Sequence, residues 1–470
     1  MNQEQREVSA ISRETPALEP VAARERFSSL DILRGFAVLG ILLMNITSFG
    51  FPHNGQRDLA AASGWDPNLT VWVTTSVLFE GKMRALFSML FGVGIVLFTL
   101  RAEEREGVAQ GGAIFYRRAL WLLAFGFLHF TFFWTGDILY EYAVGALLLY
   151  PLRKLSPTLL IVCGMGLLVI ASLRTIPRNW ELEERRTAAA EANTAQRAGA
   201  TLTAEQRDAQ AHWAALMRRR QPNDTQIARE IADHQRGYWS IFLMRQRLPG
   251  PSAFTSLWDT AAMMLIGMGL MKLGVFSAAL GWRTYAAIMV LGYAAGFAIN
   301  GITAYRTIAG NFEPIGMWWN LTTYDIGRLT MALGHVGLII LIFKAGWMRW
   351  LTSALAAVGQ MALTNYLMQT VICTTIFYGY GFGLYGQLQR YQLYYVVLGV
   401  WTFQLFLSPL WLRYFAFGPM EWLWRSLTYG KLQPMRKPAP VTKESIEEKE
   451  QRRAALVAGG PSLVETTAQS

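Results

Sequence analysis

LDILRGFAVLGILLMNITSFG, residues 30–50, carries two charges, Asp31 and Arg34, both within its first five positions. Wound as a helix it rises about 31 Å, the thickness of a bilayer's hydrocarbon core. Such a run predicts a membrane span. Similar apolar runs follow at 71–100, 119–136, 138–151, 158–176, 253–273, 284–305, 322–344, 351–378 and 393–415. The sequence therefore predicts an all-α, polytopic transmembrane helical bundle of about ten spans. Composition agrees, since the 470 residues are 53% apolar and only 16% charged, where a soluble chain carries about a quarter charged. An ordinary soluble enzyme, a disordered protein and a disulfide scaffold are excluded. Cys163 and Cys373 both sit inside apolar runs and read as packing residues.

The net charge of +11 does not point to nucleic acid, because the basic residues flank the apolar runs. The even-numbered connections carry Arg101, Arg105, Arg117, Arg118, Arg153, Lys154, Lys272, Arg283, Lys344 and Arg349. The short odd-numbered ones hold little beyond Arg57, Arg306 and Arg390. That asymmetry places both termini in the cytoplasm. The first twenty residues are polar and show neither an apolar core nor a cleavage pattern, so no secretory leader is expected in them.

Five segments result. They are a polar N-terminal tail (1–26), spans 1–5 (27–177), a polar insertion (178–252), spans 6–10 (253–430) and a disordered cytoplasmic tail (431–470). The insertion is rich in Ala, Glu, Gln and Arg, a helix-favouring composition, and is expected as an extracytoplasmic helical hairpin over the outer mouth. Thr135-Gly136-Asp137 predicts a tight turn between the short third and fourth spans. Gly92 and Gly94, like the glycines of Ile266-Gly267-Met268-Gly269, are expected at close helix contacts.

Ionisable groups inside apolar runs are costly and each needs a partner or water. Asp31 and Arg34 are three apart, as are Asp325 and Arg328, and each pair can meet on one helical face. Glu80 and Arg84, four apart, are expected to pair in the same way. Lys82 then needs its own acceptor, which implies a wet cavity. His129 lies among Phe125, Phe127, Phe130, Phe132 and Phe133, where an imidazole still needs partners for both ring nitrogens. Asp137 can cap the helix after the turn and, across that turn, share an outer-half cavity with His129. No histidines have metal-ligand spacing, and no Walker loop, Rossmann fingerprint or nucleophile elbow occurs. No metal and no permanently bound cofactor is expected.

Four stretches together resemble the YeiB-like family of bacterial membrane proteins, domain of unknown function 418. They are Ser29-Leu30-Asp31-Ile32-Leu33-Arg34-Gly35-Phe36 with Gly40 and Asn45; Phe79-Glu80-Gly81-Lys82 with Leu86 to Gly92; Gly126-Phe127-Leu128-His129 with Gly136-Asp137-Ile138-Leu139; and Met361 to Tyr366 with Gly418 to Arg425. The resemblance implies a multi-pass protein of the bacterial inner membrane. The first stretch is also similar to the openings of two membrane acyltransferase groups. The acyltransferase-3 group has a working histidine where this chain has Asn45. The group related to heparan-α-glucosaminide N-acetyltransferase has an asparagine there and a histidine shortly after the first span, broadly where His53 lies.

Two functions are thus weighed. In the first, a transmembrane acyltransferase takes acyl-CoA as co-substrate from the cytoplasm. His129 is its general base, Asp137 or Glu80 orients that base, and Asn45 donates to the oxyanion. Asp31, Arg34, Lys82, Arg84, Asp325 and Arg328 are then the substrate-binding candidates, with Arg34 facing an anionic donor. The alternative is a transporter or flippase for a small amphiphile or ion, its route lined by Glu80, Arg84, Asp137, Asp325 and Arg328. The expected partners are the lipid bilayer and a lipid or small amphiphile substrate, with no nucleic acid and with homo-oligomerisation left open.

Overall fold

The computed structural model describes residues 28–52, 59, 64, 66–220, 223–238, 242, 252–312 and 314–437. The N-terminal tail, His53 and the tail beyond 437 lie outside the described residues. Helices α1 (Ser28–Gly50), α2 (Pro67–Leu78), α3 (Lys82–Glu106), α4 (Val108–Leu128), α5 (Leu139–Leu149), α6 (Pro157–Leu173) and α7 (Thr175–Arg197) form the first half. Two shorter polar helices follow, α8 (Ala204–Arg220) and α9 (Asp224–Gln235). The second half holds α10 (Ser252–Lys272), α11 (Trp282–Ala309), α12 (Pro314–Ala345), α13 (Arg349–Gln360), α14 (Ala362–Phe377), α15 (Arg390–Tyr414) and α16 (Pro419–Tyr429). Among the described residues the only β-type pairing is the isolated Phe415–Arg436 bridge.

This is an all-α bundle of membrane-helix type. Among the described residues six segments are long and apolar enough to cross a bilayer: Ser28–Gly50, Pro67–Leu100, Pro157–Arg197, Trp282–Ala309, Trp319–Ala345 and Arg390–Tyr414. The first, second and fifth are mostly buried, whereas the third, fourth and sixth are mostly exposed. An inner layer of α1, α3, α10 and α12 is therefore ringed by α6, α11 and α15. The ring presents Val162, Ile170, Leu291, Leu398 and Phe406 outward, an apolar girdle that water would not tolerate and acyl chains would.

Two expected spans are broken. The 71–100 run stops at Leu78 and restarts at Lys82, because Gly81 takes a left-handed backbone (φ +72°) and a Cβ there would strike the Tyr324 hydroxyl. The 351–378 run breaks at Met361, and the restart is capped from another helix. Glu421 of α16 accepts hydrogen bonds from the Leu363 and Thr364 amides (2.7 and 3.1 Å) and from the Thr364 hydroxyl (2.6 Å). Burial raises the Glu421 carboxyl above its usual range, although these hydrogen bonds pull it down.

The two ends of the bundle differ chemically. At one end Ser29 Oγ donates to the Phe276 carbonyl, Lys272 to Leu155, Lys344 to Ala278 and Leu280, and Trp424 Nε1 to Arg118. These bonds collect the start of α1, the basic connections and α16 on one rim. The opposite rim carries the insertion. Its described residues form three helices where a hairpin was expected, and α8 lies against α7 through Gln210 and Asn193 (2.9 Å). The third, α9, docks on the loop after α14: Gly379 N donates to His234 O (2.9 Å), Tyr385 bonds Glu230 (2.6 Å) and the His234 ring stacks on Tyr385 at 3.9 Å. Residues 431–437, expected to open a loose tail, instead fold back. Ala416 N donates to Met435 O and Trp422 Nε1 to Gln433 O, which supplies partners for backbone groups otherwise left bare at the end of α15.

Gly92 and Gly267 are the closest points of the α3–α10 crossing. A Cβ at Gly92 would enter the Met264 carbonyl, and one at Gly267 the Met89 carbonyl. Gly94 departs from expectation: it faces open space, since two residues along a helix turns the position about 200° away. Gly92→Leu is expected to lower the thermal midpoint and the monodisperse yield sharply, because backbone cannot retreat. Gly94→Leu should stay within about 0.5 kcal/mol of the parent. Equal losses in a detergent unfolding series would remove the close-approach explanation.

Candidate functional site

The site forms where α4 ends. Its last turn widens into a π-helical turn, His129–Phe133, closed by Trp134 N donating to the His129 carbonyl (2.9 Å). Single π turns within helices occur often at functional positions. The chain then reverses at the predicted turn. Gly126 lets the backbone of Leu139 and Tyr140 pass against α4 where any Cβ would collide. That close pass returns Asp137 to His129.

His129 Nδ1 lies 2.7 Å from Asp137 Oδ1, and its Nε2 lies 3.0 Å from Thr370 Oγ1. The other Asp137 oxygen accepts from Tyr140 N (2.9 Å), so Asp137 also caps α5 as the sequence suggested. Tyr366 Oη sits 3.4 Å from Asp137 Oδ1 and accepts from Ile138 N at 3.3 Å. The imidazole, with 4% of the residue exposed, is flanked by the Phe133 and Tyr366 rings at 6.1 and 5.4 Å. Tyr366 and Thr370 come one turn apart from α14. Thr370 was missed. Its signal was the polar series Tyr366, Thr370, Thr374 at four-residue spacing within an apolar run.

Asn45 is half-buried and makes no hydrogen bond among the described residues. It lies one turn before Phe49, whose ring stacks on Trp134 at 4.3 Å. Its helical face is therefore the one turned toward the histidine hairpin. Glu80 is not joined to His129 by any hydrogen bond among the described residues. Arg34 is three turns away along α1 at the basic rim, paired with Asp31 at 2.9 Å as expected. Near it lie two further cations that the sequence assigned to the basic rim but not to the site. Arg118 lies within electrostatic reach of both Arg34 and Arg425, and its guanidinium stacks on Trp424 at 3.6 Å.

A second cluster occupies the centre of the bundle. The expected Asp325–Arg328 pair forms at 2.8 Å. The expected Glu80–Arg84 pair does not, because the break at Gly81 removes the shared helical face. Arg84 instead binds Asp259 of α10, which also accepts from Arg328 Nη1 at 2.8 Å. Asp259 escaped the sequence reading, since it stands alone near the start of an apolar run. Nor does Lys82 imply a wet cavity. Its Nζ donates to the Ser76 carbonyl at 2.5 Å, one of the groups orphaned where α2 ends. His335 serves the same helix end, with Nε2 2.9 Å from the Leu78 carbonyl and Nδ1 2.9 Å from Tyr293 Oη.

Residues 270–431 match the family described as Protein of unknown function (DUF418). The curated relatives include the Uncharacterized protein YxaH of Bacillus subtilis (strain 168), 28% identical over 90% of this chain and 100% of its own length. The Uncharacterized protein YeiB of Escherichia coli (strain K12) is 28% identical over 87% of this chain and 98% of its own. Over its second half this chain is similar to the DUF418 family, and over most of its length to YxaH and YeiB. A third relative, the Uncharacterized 39.9 kDa protein in amylase 3'region of Bacillus acidopullulyticus, is 26% identical over 89% of this chain and 98% of its own length. No solved structure matches. The matched DUF418 segment contains Arg328, Tyr366, Thr370 and Glu421, whereas His129, Asp137 and Asp259 precede it. Both clusters therefore depend on packing the two halves of the chain together.

Proposed function

We propose that this YeiB-like protein is a transmembrane acyltransferase of the bacterial inner membrane. It moves an acyl group from a cytoplasmic thioester donor, with acyl-CoA the co-substrate, to a membrane or extracytoplasmic acceptor. The observation that carries this reading is His129 held between the Asp137 carboxylate and the Thr370 hydroxyl at 2.7 and 3.0 Å. A carboxylate on one ring nitrogen fixes the imidazole and stabilises its protonated form, while the other nitrogen meets a hydroxyl. Asn45, with no hydrogen bond among the described residues on the face toward this hairpin, suits the developing oxyanion. At the basic rim, Arg34 with Arg118 and Arg425 supplies positive charge for a donor's phosphates. From Arg34 to Asn45 the helix rises about 16 Å, a span for a carrier arm rather than for the acyl group alone.

The test is thiol release by purified full-length protein in lipid nanodiscs given acetyl-CoA and a lipid acceptor. Neither binding nor thiol release across a panel of acceptors would defeat the proposal. The same reading sets the orientation: both termini cytoplasmic, ten passes, and the insertion outside. Cysteine labelling in intact cells should reach position 205 from outside and position 431 only after lysis. Labelling of both from one side would overturn the ten-pass arrangement.

One observation favours a second reading. Arg84, Asp259, Arg328 and Asp325 form a continuous charged network between α3, α10 and α12. Such networks mark ion and proton routes in membrane bundles. Flux in proteoliposomes that follows a proton gradient, with no covalent change in the substrate, would decide for transport.

A further inference from the structure

We propose that Thr370 carries the acyl group, as an ester on Oγ1, between donor and acceptor; this rests on the acyl-transfer reading and assigns it a covalent intermediate. The argument begins with the histidine's two nitrogens. An Asp137 carboxylate only accepts, so Nδ1 holds the ring proton and Nε2 presents its lone pair, a tautomer assigned from the network. That lone pair faces Thr370 Oγ1 at 3.0 Å. It is therefore spent on a hydroxyl of the protein itself. An acceptor approaching the same nitrogen would first have to displace Thr370.

The threonine's own conformation supplies the second observation. A threonine within a helix commonly turns its hydroxyl back onto a carbonyl one turn earlier. Thr374 does so onto Thr370 O, and Thr375 onto Val371 O, both at 2.7 Å. Thr370 makes no such bond among the described residues, and its hydroxyl is given to His129. Tyr366, one turn earlier on α14, reaches Asp137 rather than the ring nitrogens. One helix thus presents a hydroxyl to each end of the histidine–carboxylate pair, and only that of Thr370 meets the basic nitrogen.

The chemistry balances without any further reagent. Thr370 Oγ1 attacks the thioester carbonyl carbon as its proton passes to His129 Nε2. The carbon–sulfur bond breaks, and the thiol leaves with that proton. The acceptor hydroxyl or amine then gives its proton to Nε2 and attacks the ester carbon. The bond to Oγ1 breaks, and Oγ1 recovers the proton. Asp137 keeps its charge throughout and steadies the imidazolium in both halves. Thr370 is 1% exposed, so an acyl chain reaches it only when a neighbouring side chain moves. Phe133, on the π-helical turn, stacks 6.1 Å from the imidazole and is itself 46% exposed, which makes its ring the side chain whose rotation the transfer would require.

The experiment uses the full chain in nanodiscs, incubated with acetyl-CoA in the absence of acceptor, quenched in acid and read by peptide mass spectrometry. One acetyl group is expected on the peptide containing Thr370, retained in Thr370→Ser and absent from Thr370→Val and His129→Gln. Thr370→Val is similar in volume but leaves Nε2 without its donor, so its unfolding midpoint should fall modestly, while turnover with acceptor falls about 1,000-fold or more even well below that midpoint. If wild type releases thiol with acceptor but never acquires the acetyl group, or if Thr370→Val turns over within about threefold of wild type, transfer is direct. The covalent proposal then fails while the acyltransferase reading stands. If wild type releases no thiol under any condition, that reading fails and takes this one with it.

Discussion

His129→Gln should leave the protein folded and abolish its transfer activity, with turnover falling by about 1,000-fold or more. The glutamine amide can still donate to Asp137 and fills much of the imidazole's volume, so the buried carboxylate keeps its partner. What it cannot do is accept a proton near neutral pH, and general-base catalysis of this kind contributes about 100- to 10,000-fold. His129→Leu separates the two roles. It removes the donor at 2.7 Å from Asp137, whose side chain is fully buried, and leaves that oxygen to Tyr366 alone. Such an orphaned acceptor costs about 1–3 kcal/mol, more when charged, so the leucine variant should lose stability as well as activity. Thermal unfolding and thiol release measured on the same preparations read the two effects apart. Wild-type turnover in His129→Gln would return this residue to packing and remove the main support for acyl transfer. Activity lost only in step with unfolding would do the same.

The membrane bundle was legible because its signal is additive. Each apolar run repeats one statement, and many repetitions outvote any single misreading of fold class. The breaks were not legible in the same way. Gly81 is one glycine among 42. It admits no side chain because the Tyr324 hydroxyl of α12 fills that space, and no local pattern announces a neighbour 243 positions away. Met361 offers even less, since the cap that permits a restart comes from Glu421 on α16. Glycines behave alike: Gly92 and Gly94 share a motif, but only Gly92 faces the α10 backbone.

The site divides along similar lines. His129 and Asp137 lie eight residues apart across a predicted turn, so local reasoning reached their contact. Asp31 with Arg34, and Asp325 with Arg328, share a helical turn and were equally accessible. Thr370 stands 241 positions from His129, and a threonine in an apolar helix usually bonds its own backbone. Its role becomes visible only when α14 is set against the π-helical turn. Glu80 and Arg84 were misassigned because helix periodicity was extended through a residue that breaks it.

Asp259→Ala is expected to destabilise the protein by about 3–5 kcal/mol, the effect of removing one partner from a buried ion pair. Asp259 lies between two guanidinium groups, Arg84 and Arg328, and touches both. Arg328 is 1% exposed. Without Asp259 it keeps only Asp325, so the uncompensated charge on Arg328 carries most of the cost, while Arg84, whose side chain is 32% exposed, loses its partner at smaller cost. Asp259→Asn retains the shape and one acceptor oxygen but not the charge, so its loss should fall between alanine and wild type. A double variant, Asp259→Ala with Arg84→Met, removes both members of one pair and should recover the smaller, Arg84 share of the stability. Replacing a buried pair by apolar side chains is often neutral, whereas halving it is not. Unfolding midpoints of the three variants in one detergent give the answer. Recovery in the double variant assigns that share of the cost to an uncompensated charge. An unchanged midpoint in Asp259→Ala would mean that water reaches these arginines, and a hydrated charge network between α3, α10 and α12 is what the transport reading requires. The same measurement therefore weighs the two functions, because a dry network holds helices together and a wet one conducts.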